Sequence, residues 1–145
     1  MSSYIKKSHN VNYIMYHIVC PIKYRRMVIN EEVDRTLKEI CLELSYRYEI
    51  YFEEIGTDGD YVHFLVQTVP RYSPSEVVKK IKGITGREIF KRYPEVKKQL
   101  WGGQFWTDGY FLSTVGKHTN EETIAEYVKN QGKNAKYKQL HFEIE

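Results

Sequence analysis

EIYFEEIGTDGDYVHFLVQ, residues 49–67, decides the fold. It divides into two short runs, EIYFEEIG (49–56) and DYVHFLVQ (60–67), joined by TDG. Runs rich in aromatic and β-branched residues favour strands, and the link carries turn chemistry that lets one strand fold back on the other. An antiparallel hairpin is expected. Alternation along the second strand puts Tyr61, His63, Leu65 and Gln67 on one face and Val62, Phe64 and Val66 on the other. The apolar set belongs to a core beneath helices. His63 falls on the opposite face, where a groove or a partner would reach it.

Upstream, NVNYIMYHIVC (10–20) reads as a strand and PIKYRRMVIN (21–30) as a basic loop. Residues 31–48 then change period. Val33, Leu37, Ile40, Cys41, Leu44 and Tyr48 fall on one helical face, with Asn30 placed as N-cap. Downstream, Ser73, Pro74 and Glu76 open SPSEVVKKIKGITGREIFKRY with capping-box spacing and a proline at the first helical position. Val77, Val78, Ile81 and Ile84 supply its inner face; Lys79, Lys80, Lys82, Arg87, Lys91 and Arg92 supply the outer one. FWTDGYFLSTVG (105–116) reads as a further strand. Thr119 and Glu122 repeat the capping-box spacing and start a short helix over residues 119–131, followed by a lysine-rich tail. The order strand, helix, strand, strand, helix, strand, helix predicts an α+β fold, an antiparallel sheet with helices mainly on one face, of the ferredoxin-like kind. With no repeat, low-complexity segment or linker, residues 1–145 are expected to form one domain.

Composition narrows the function classes. The net charge is only +3, so any nucleic-acid argument rests on where the charge lies. The 13 tyrosines stand out, because each offers an apolar ring and a reactive or hydrogen-bonding hydroxyl. Cys20 and Cys41 are too few for a disulfide scaffold or a zinc site and suit a reducing setting. No apolar run is long enough for a membrane span and the N-terminus lacks a signal-peptide core, so a cytoplasmic protein is expected.

Several side chains invite a chemical reading beside a plainer one. Tyr127 and Gln131 stand four residues apart, one above the other on a helix, beside the apolar pair Ile124 and Val128. Taken alone, Tyr127 is a packing tyrosine and His63 a half-exposed strand histidine. Lys23, Arg25 and Arg26 make a compact basic loop in which Tyr24 is placed to stack on an exposed base. Lys79 and Lys82 extend the positive strip, although any solvated helix face carries such charge. Gly116 and Gly132 bracket the short helix, as turn and C-cap glycines would.

Taken together, these segments point further. YHIVCPIKYRR, GDYVHFLVQ, LWGGQFWTDGYFLSTVGKH and EYVKNQ resemble the first strand, motif strand, late strand and catalytic helix of the HUH-type single-tyrosine transposases, the TnpA-like enzymes of insertion-sequence 200-type elements. The resemblance covers nearly the whole chain. It implies that Tyr127 is the nucleophile, that His63 and Gln131 bind a divalent Mg²⁺ or Mn²⁺, and that single-stranded DNA with hairpin ends is the partner. It also implies a homodimer in which the tyrosine helix is shared between subunits.

The chemistry explains these residue types. A phenol with a pKa near ~10 is a weak nucleophile, and a bound cation polarises the phosphate it attacks. Attack by Tyr127 leaves a 5′-phosphotyrosine and a free 3′-hydroxyl, so rejoining needs no external energy source. One position departs from the family pattern. Where the resemblance implies a first histidine, this chain has Tyr61, a poorer ligand than imidazole. Asp60, Asp58 or Tyr61 itself would have to supply the missing donor. The alternative is a weakened or inactive descendant that still binds hairpin or single-stranded nucleic acid.

Overall fold

The computed structural model describes residues 3–116. Strands β1 (Ile5–Lys6) and β2 (Val11–Asn12) pair as a small antiparallel hairpin. β3 (Ile14–Pro21) leads through a 3-10 turn at Lys23–Arg25 into α1 (Glu31–Arg47). β4 (Tyr51–Thr57) and β5 (Tyr61–Thr68) form the expected hairpin, followed by α2 (Pro74–Arg92), α3 (Pro94–Gln99) and β6 (Phe111–Val115). The main sheet has the order β4-β5-β3-β6, and every pairing in it is antiparallel. This is the ferredoxin-like order, and the fold is α+β as the sequence pattern predicts.

The local signals act as read. Asn30 Oδ1 accepts the Val33 N–H at 2.9 Å. Ser73 Oγ accepts from the Glu76 N–H at 3.2 Å while the Glu76 carboxylate accepts from the Ser73 N–H at 2.7 Å, a closed capping box. Such caps contribute about 1 kcal/mol each and set where α1 and α2 begin. The two helices then cover one face of the sheet. Leu37, Ile40 and Leu44 of α1 and Val77, Ile81 and Ile89 of α2 join Ile18, Cys20, Val62, Phe64 and Val66 in a single core. Each such side chain contributes roughly 1.5–3 kcal/mol by leaving water.

Four expectations change. The strand expected over 10–20 is interrupted at Tyr13, and its first part pairs with an N-terminal strand that the sequence reading did not contain. The short helix α3 was likewise not anticipated. The late strand shrinks from 105–116 to Phe111–Val115, because Phe105 and Trp106 turn inward onto α2. There the Trp106 Nε1–H donates to Thr85 Oγ1 at 3.0 Å, and Gly86 has no side chain to obstruct Phe105, whose Cβ would lie 3.3 Å from an added methyl. Burying two large rings outweighs the ladder bonds of a longer strand.

The fourth change concerns His63. The sheet face opposite the helices is no open groove: all eight residues of β5 are buried, and His63 is only 2 % exposed. Gln67 Nε2–H donates to the Ser3 carbonyl at 2.7 Å, which straps the N-terminal segment over one end of this face. Val19, Tyr61 and Phe111 form a second apolar cluster at the other end. The helix expected over residues 119–131, with Tyr127 and Gln131, lies outside the described residues, as do Gly132 and the tail. Among the described residues, no helix is long and apolar enough to cross a membrane.

Candidate functional site

Register builds the site. β3 and β5 pair so that Val19 faces His63 and His17 faces Leu65. His17 and His63 therefore share the face away from the helices as diagonal neighbours, a spacing within reach of ring side chains. Both are buried. On the other side of β5, His63 faces Gly56 of β4, and its imidazole lies directly over that glycine. A methyl at Gly56 would stand 2.0 Å from His63 Cε1 and 2.6 Å from Nε2, so the ring occupies the space the glycine leaves. Phe111 meets the His17 ring edge to face at 5.7 Å between centroids.

Burial sets the state of the two imidazoles. It lowers the pKa of His17 to about 4, and it lowers that of His63 to about 4 with a smaller push from His17. Both are neutral at pH 7, the form in which a ring nitrogen offers a lone pair. His63 Nδ1 is buried and has no hydrogen-bond partner among the described residues. His17 was not singled out from the sequence, yet the alternation of YHIVC already sets it beside Met15 and Val19 rather than with Ile18 and Cys20.

Tyr61 is differently engaged. It is 1 % exposed, and its hydroxyl is hydrogen-bonded to the Asp58 carboxylate. Burial, then the Asp58 and Asp60 carboxylates, hold the phenol far above its ordinary range, so it stays protonated. Burial and the Asp60 charge raise the Asp58 pKa as well, against the Tyr61 hydrogen bond that lowers it. Asp60 itself pairs with Arg25 at 2.8 Å, and the Arg25 guanidinium sits 5.7 Å from the Tyr61 ring centroid. The oxygens of Tyr61 and Asp60 are thus committed to this network. Among the described residues, no group of three or more histidine, cysteine, aspartate or glutamate side chains is arranged to hold a metal ion.

The basic loop is sewn to the same end of the sheet. Ile22 N–H donates to the Asp60 carbonyl and Lys23 N–H to the Phe105 carbonyl, each at 2.8 Å, and Thr107 N–H returns to Pro21 at 3.0 Å. Tyr24, Arg25 and Arg26 are exposed there, and Lys79 is exposed on α2. Lys82 turns to another task. Its ammonium donates to the carbonyls of Thr107, Asp108 and Gly109 at 2.7, 3.3 and 3.5 Å, clamping the loop ahead of β6. Beside it, a cleft of about 340 Å³ runs between α2 and residues 103–108, lined by Gly83, Gly86, Arg87, Phe90 and Trp106 among others.

Comparison with known proteins places this arrangement. The profile of the family described as IS200-like transposases matches residues 10–131. The chain is 31 % identical over 128 residues to the ISDra2 transposase TnpA of Deinococcus radiodurans, covering 88 % of this chain and 91 % of that protein. It is 30 % identical over 116 residues to the transposase for insertion sequence element IS200 of Salmonella typhimurium, covering 80 % and 75 % respectively. A crystal structure of a transposase candidate from Deinococcus radiodurans superposes with a TM-score of 0.70 at 31 % identity, over 88 % of this chain and 97 % of the other. The structure of a REP-associated tyrosine transposase bound to a REP hairpin superposes with a TM-score of 0.56 over 88 % and 70 % of the two chains; at 10 % identity this likeness speaks for the fold.

Proposed function

The chain belongs to the IS200-like transposase family, and from that premise we propose that it cuts and rejoins single-stranded DNA at the ends of a mobile element, with Tyr127 as nucleophile. The observation that carries this reading is the span of the family match, which runs from residue 10 to Gln131 and so takes in Tyr127. The Tyr127 oxygen attacks the scissile phosphorus and loses its proton. The bond from phosphorus to the 3′-oxygen breaks, and that oxygen leaves as a hydroxyl. The downstream fragment stays on the enzyme, its 5′-phosphate joined to the tyrosine oxygen, and attack by another 3′-hydroxyl reverses the step.

A divalent cation, Mg²⁺ or Mn²⁺, when bound, polarises the phosphate and takes up charge on the departing oxygen. His63 suits it, being neutral with a buried Nδ1 that has no hydrogen-bond partner among the described residues. Gln131 is a further donor, and His17 is the imidazole that register brings nearest, in place of the one Tyr61 does not supply. Two imidazoles favour Mn²⁺ over Mg²⁺, which prefers oxygen. Lys23, Arg26 and Lys79 hold phosphates, and Arg25 ties the basic loop to the start of β5 through Asp60. The reading includes a cytoplasmic homodimer in which the Tyr127 helix serves the partner subunit, and a hairpin near each element end as the DNA that is recognised. Residues 1–145 act in it as one domain.

A second reading has a specific observation in its favour. Asp58, Asp60, Tyr61 and Arg25 satisfy one another, which leaves the described part of the site short of ligands. On that reading the protein binds hairpin DNA without cutting it. Incubation with single-stranded oligonucleotides carrying the element ends, in Mn²⁺, decides between them. The proposed enzyme gives an SDS-resistant protein–DNA adduct that Tyr127→Phe abolishes. No adduct from the native chain but one from Tyr61→His identifies a cation-deficient enzyme. Hairpin binding with no adduct from either establishes the second reading.

A further inference from the structure

Among the described residues, three non-glycine residues have a left-handed backbone: Tyr24 (φ 59°), Arg25 (φ 53°) and Trp101 (φ 55°). Tyr24 and Arg25 are consecutive and Trp101 is distant in sequence, yet the two places meet in space. The Tyr24 and Trp101 rings meet at 4.8 Å between centroids with planes 82° apart, and Arg26 lies 5.0 Å from the Trp101 centroid. Lys23 sits 5.5 Å from the Tyr24 ring. A left-handed conformation at a non-glycine residue costs on the order of 1–2 kcal/mol, and strain of this kind gathers where it serves a site.

This strain does not serve the core. Tyr24 is 54 % exposed and Trp101 is 67 % exposed, so little apolar burial offsets it. Phe105 and Trp106, from the same run of sequence, are buried on α2. The 3-10 turn is instead anchored from behind by the Lys23 bond to Phe105 and the Arg25 pair with Asp60, which hold Tyr24 outward against Trp101. Two perpendicular rings make a corner: a flat heterocycle lying on one ring places its edge against the other. A cation stands beside each ring, Lys23 by Tyr24 and Arg26 by Trp101.

We propose that Tyr24 and Trp101 form a stacking corner for one unpaired base of single-stranded DNA, with Lys23 and Arg26 on the flanking phosphates. The proposal rests on the transposase reading and adds where the unpaired strand beside a hairpin is held. A duplex offers no free base face, so the corner selects the unpaired segment over the stem. Stacking of this type is strong and tolerant of base identity.

The test compares a blunt DNA hairpin with the same hairpin carrying a six-nucleotide unpaired flank, by anisotropy titration of end-labelled DNA at fixed salt. Trp106 is 4 % exposed and bonded to Thr85, so quenching of the native protein's tryptophan fluorescence by the flank separately reports Trp101. The native protein is expected to bind the flanked hairpin about tenfold more tightly than the blunt one, on the scale of one stacked base. Trp101→Ala should abolish that margin and leave blunt-hairpin affinity unchanged. Trp101→Gly, which relieves the left-handed strain, should melt at a higher temperature than Trp101→Ala while binding the flank equally poorly. The proposal is overturned if Trp101→Ala keeps the tenfold margin, or if it weakens both hairpins alike. A native protein that binds neither hairpin overturns the transposase reading as well, whereas an intact margin in Trp101→Ala overturns the corner alone.

Discussion

Gly56→Ala should move the His63 imidazole, and the size of the effect follows from geometry. The added methyl would lie 2.0, 2.6 and 2.8 Å from Cε1, Nε2 and Nδ1 of His63. Ordinary contacts between such atoms fall near 3.5–4.0 Å, so the ring must retreat by about 1.5 Å. Its retreat is opposed across the strand pair, where β5 is buried along its length and His17 and Val19 stand opposite. Overpacking of this kind costs about 1–3 kcal/mol, which for a chain of this length lowers Tm by about 6–8 °C at the middle of the range. A double-mutant cycle isolates the cause. In a His63→Ala background the methyl meets no ring, and Gly56→Ala should then cost no more than a few tenths of a kcal/mol, leaving a coupling of about 2 kcal/mol. Urea melts of the four proteins measure it. A coupling near zero would refute the placement of His63 over Gly56, and with it the site built around that ring.

Three further outcomes follow from the same face of the sheet. Because His17 and His63 have folded pKa values near 4, below the ~6.5 of an unfolded histidine, the unfolded chain takes up protons first as pH falls. Stability should be full above about pH 6.5, decline towards pH 4 and level off below, with roughly 2 kcal/mol per histidine lost by pH 5; urea melts at pH 7.5 and 5.0 on the native chain and on His17→Leu measure the difference. Tyr61→Phe removes the donor to Asp58 and should cost about 1 kcal/mol in thermal melts without lowering Mn²⁺ affinity, since the phenol is not read as a ligand. His17→Ala should weaken Mn²⁺ binding in calorimetry at least tenfold, and an unchanged affinity would remove His17 from the donor set.

The hairpin, the capped helices and the strand order were legible because each rests on local chemistry. Asn30, the Ser73–Glu76 box and the alternation of Val62, Phe64 and Val66 act within a few residues of themselves. What the sequence hid depends on pairings between distant segments. Phe105 and Trp106 have strand propensity, and only Thr85 and Gly86 across the core turn them inward. Lys82 reads as one more solvated cation until the carbonyls of residues 107–109 come within its reach. The relation of His17 to His63 is a matter of register, set by two strands more than forty residues apart. Trp101 passed as part of a family-like run, and its exposure and left-handed backbone became visible only in three dimensions.

The central claim is that Tyr127 carries the 5′ end of the cut strand. Mass spectrometry of the proteolysed adduct, formed in Mn²⁺ on a single-stranded element end, addresses it directly. The expected result is one modified peptide, containing Tyr127, that bears the 5′-phosphate of the downstream fragment, together with a free 3′-hydroxyl on the upstream fragment. Cleaved DNA with a free 5′-phosphate and no modified peptide would contradict the account, as would the same nucleotide mass on any other side chain.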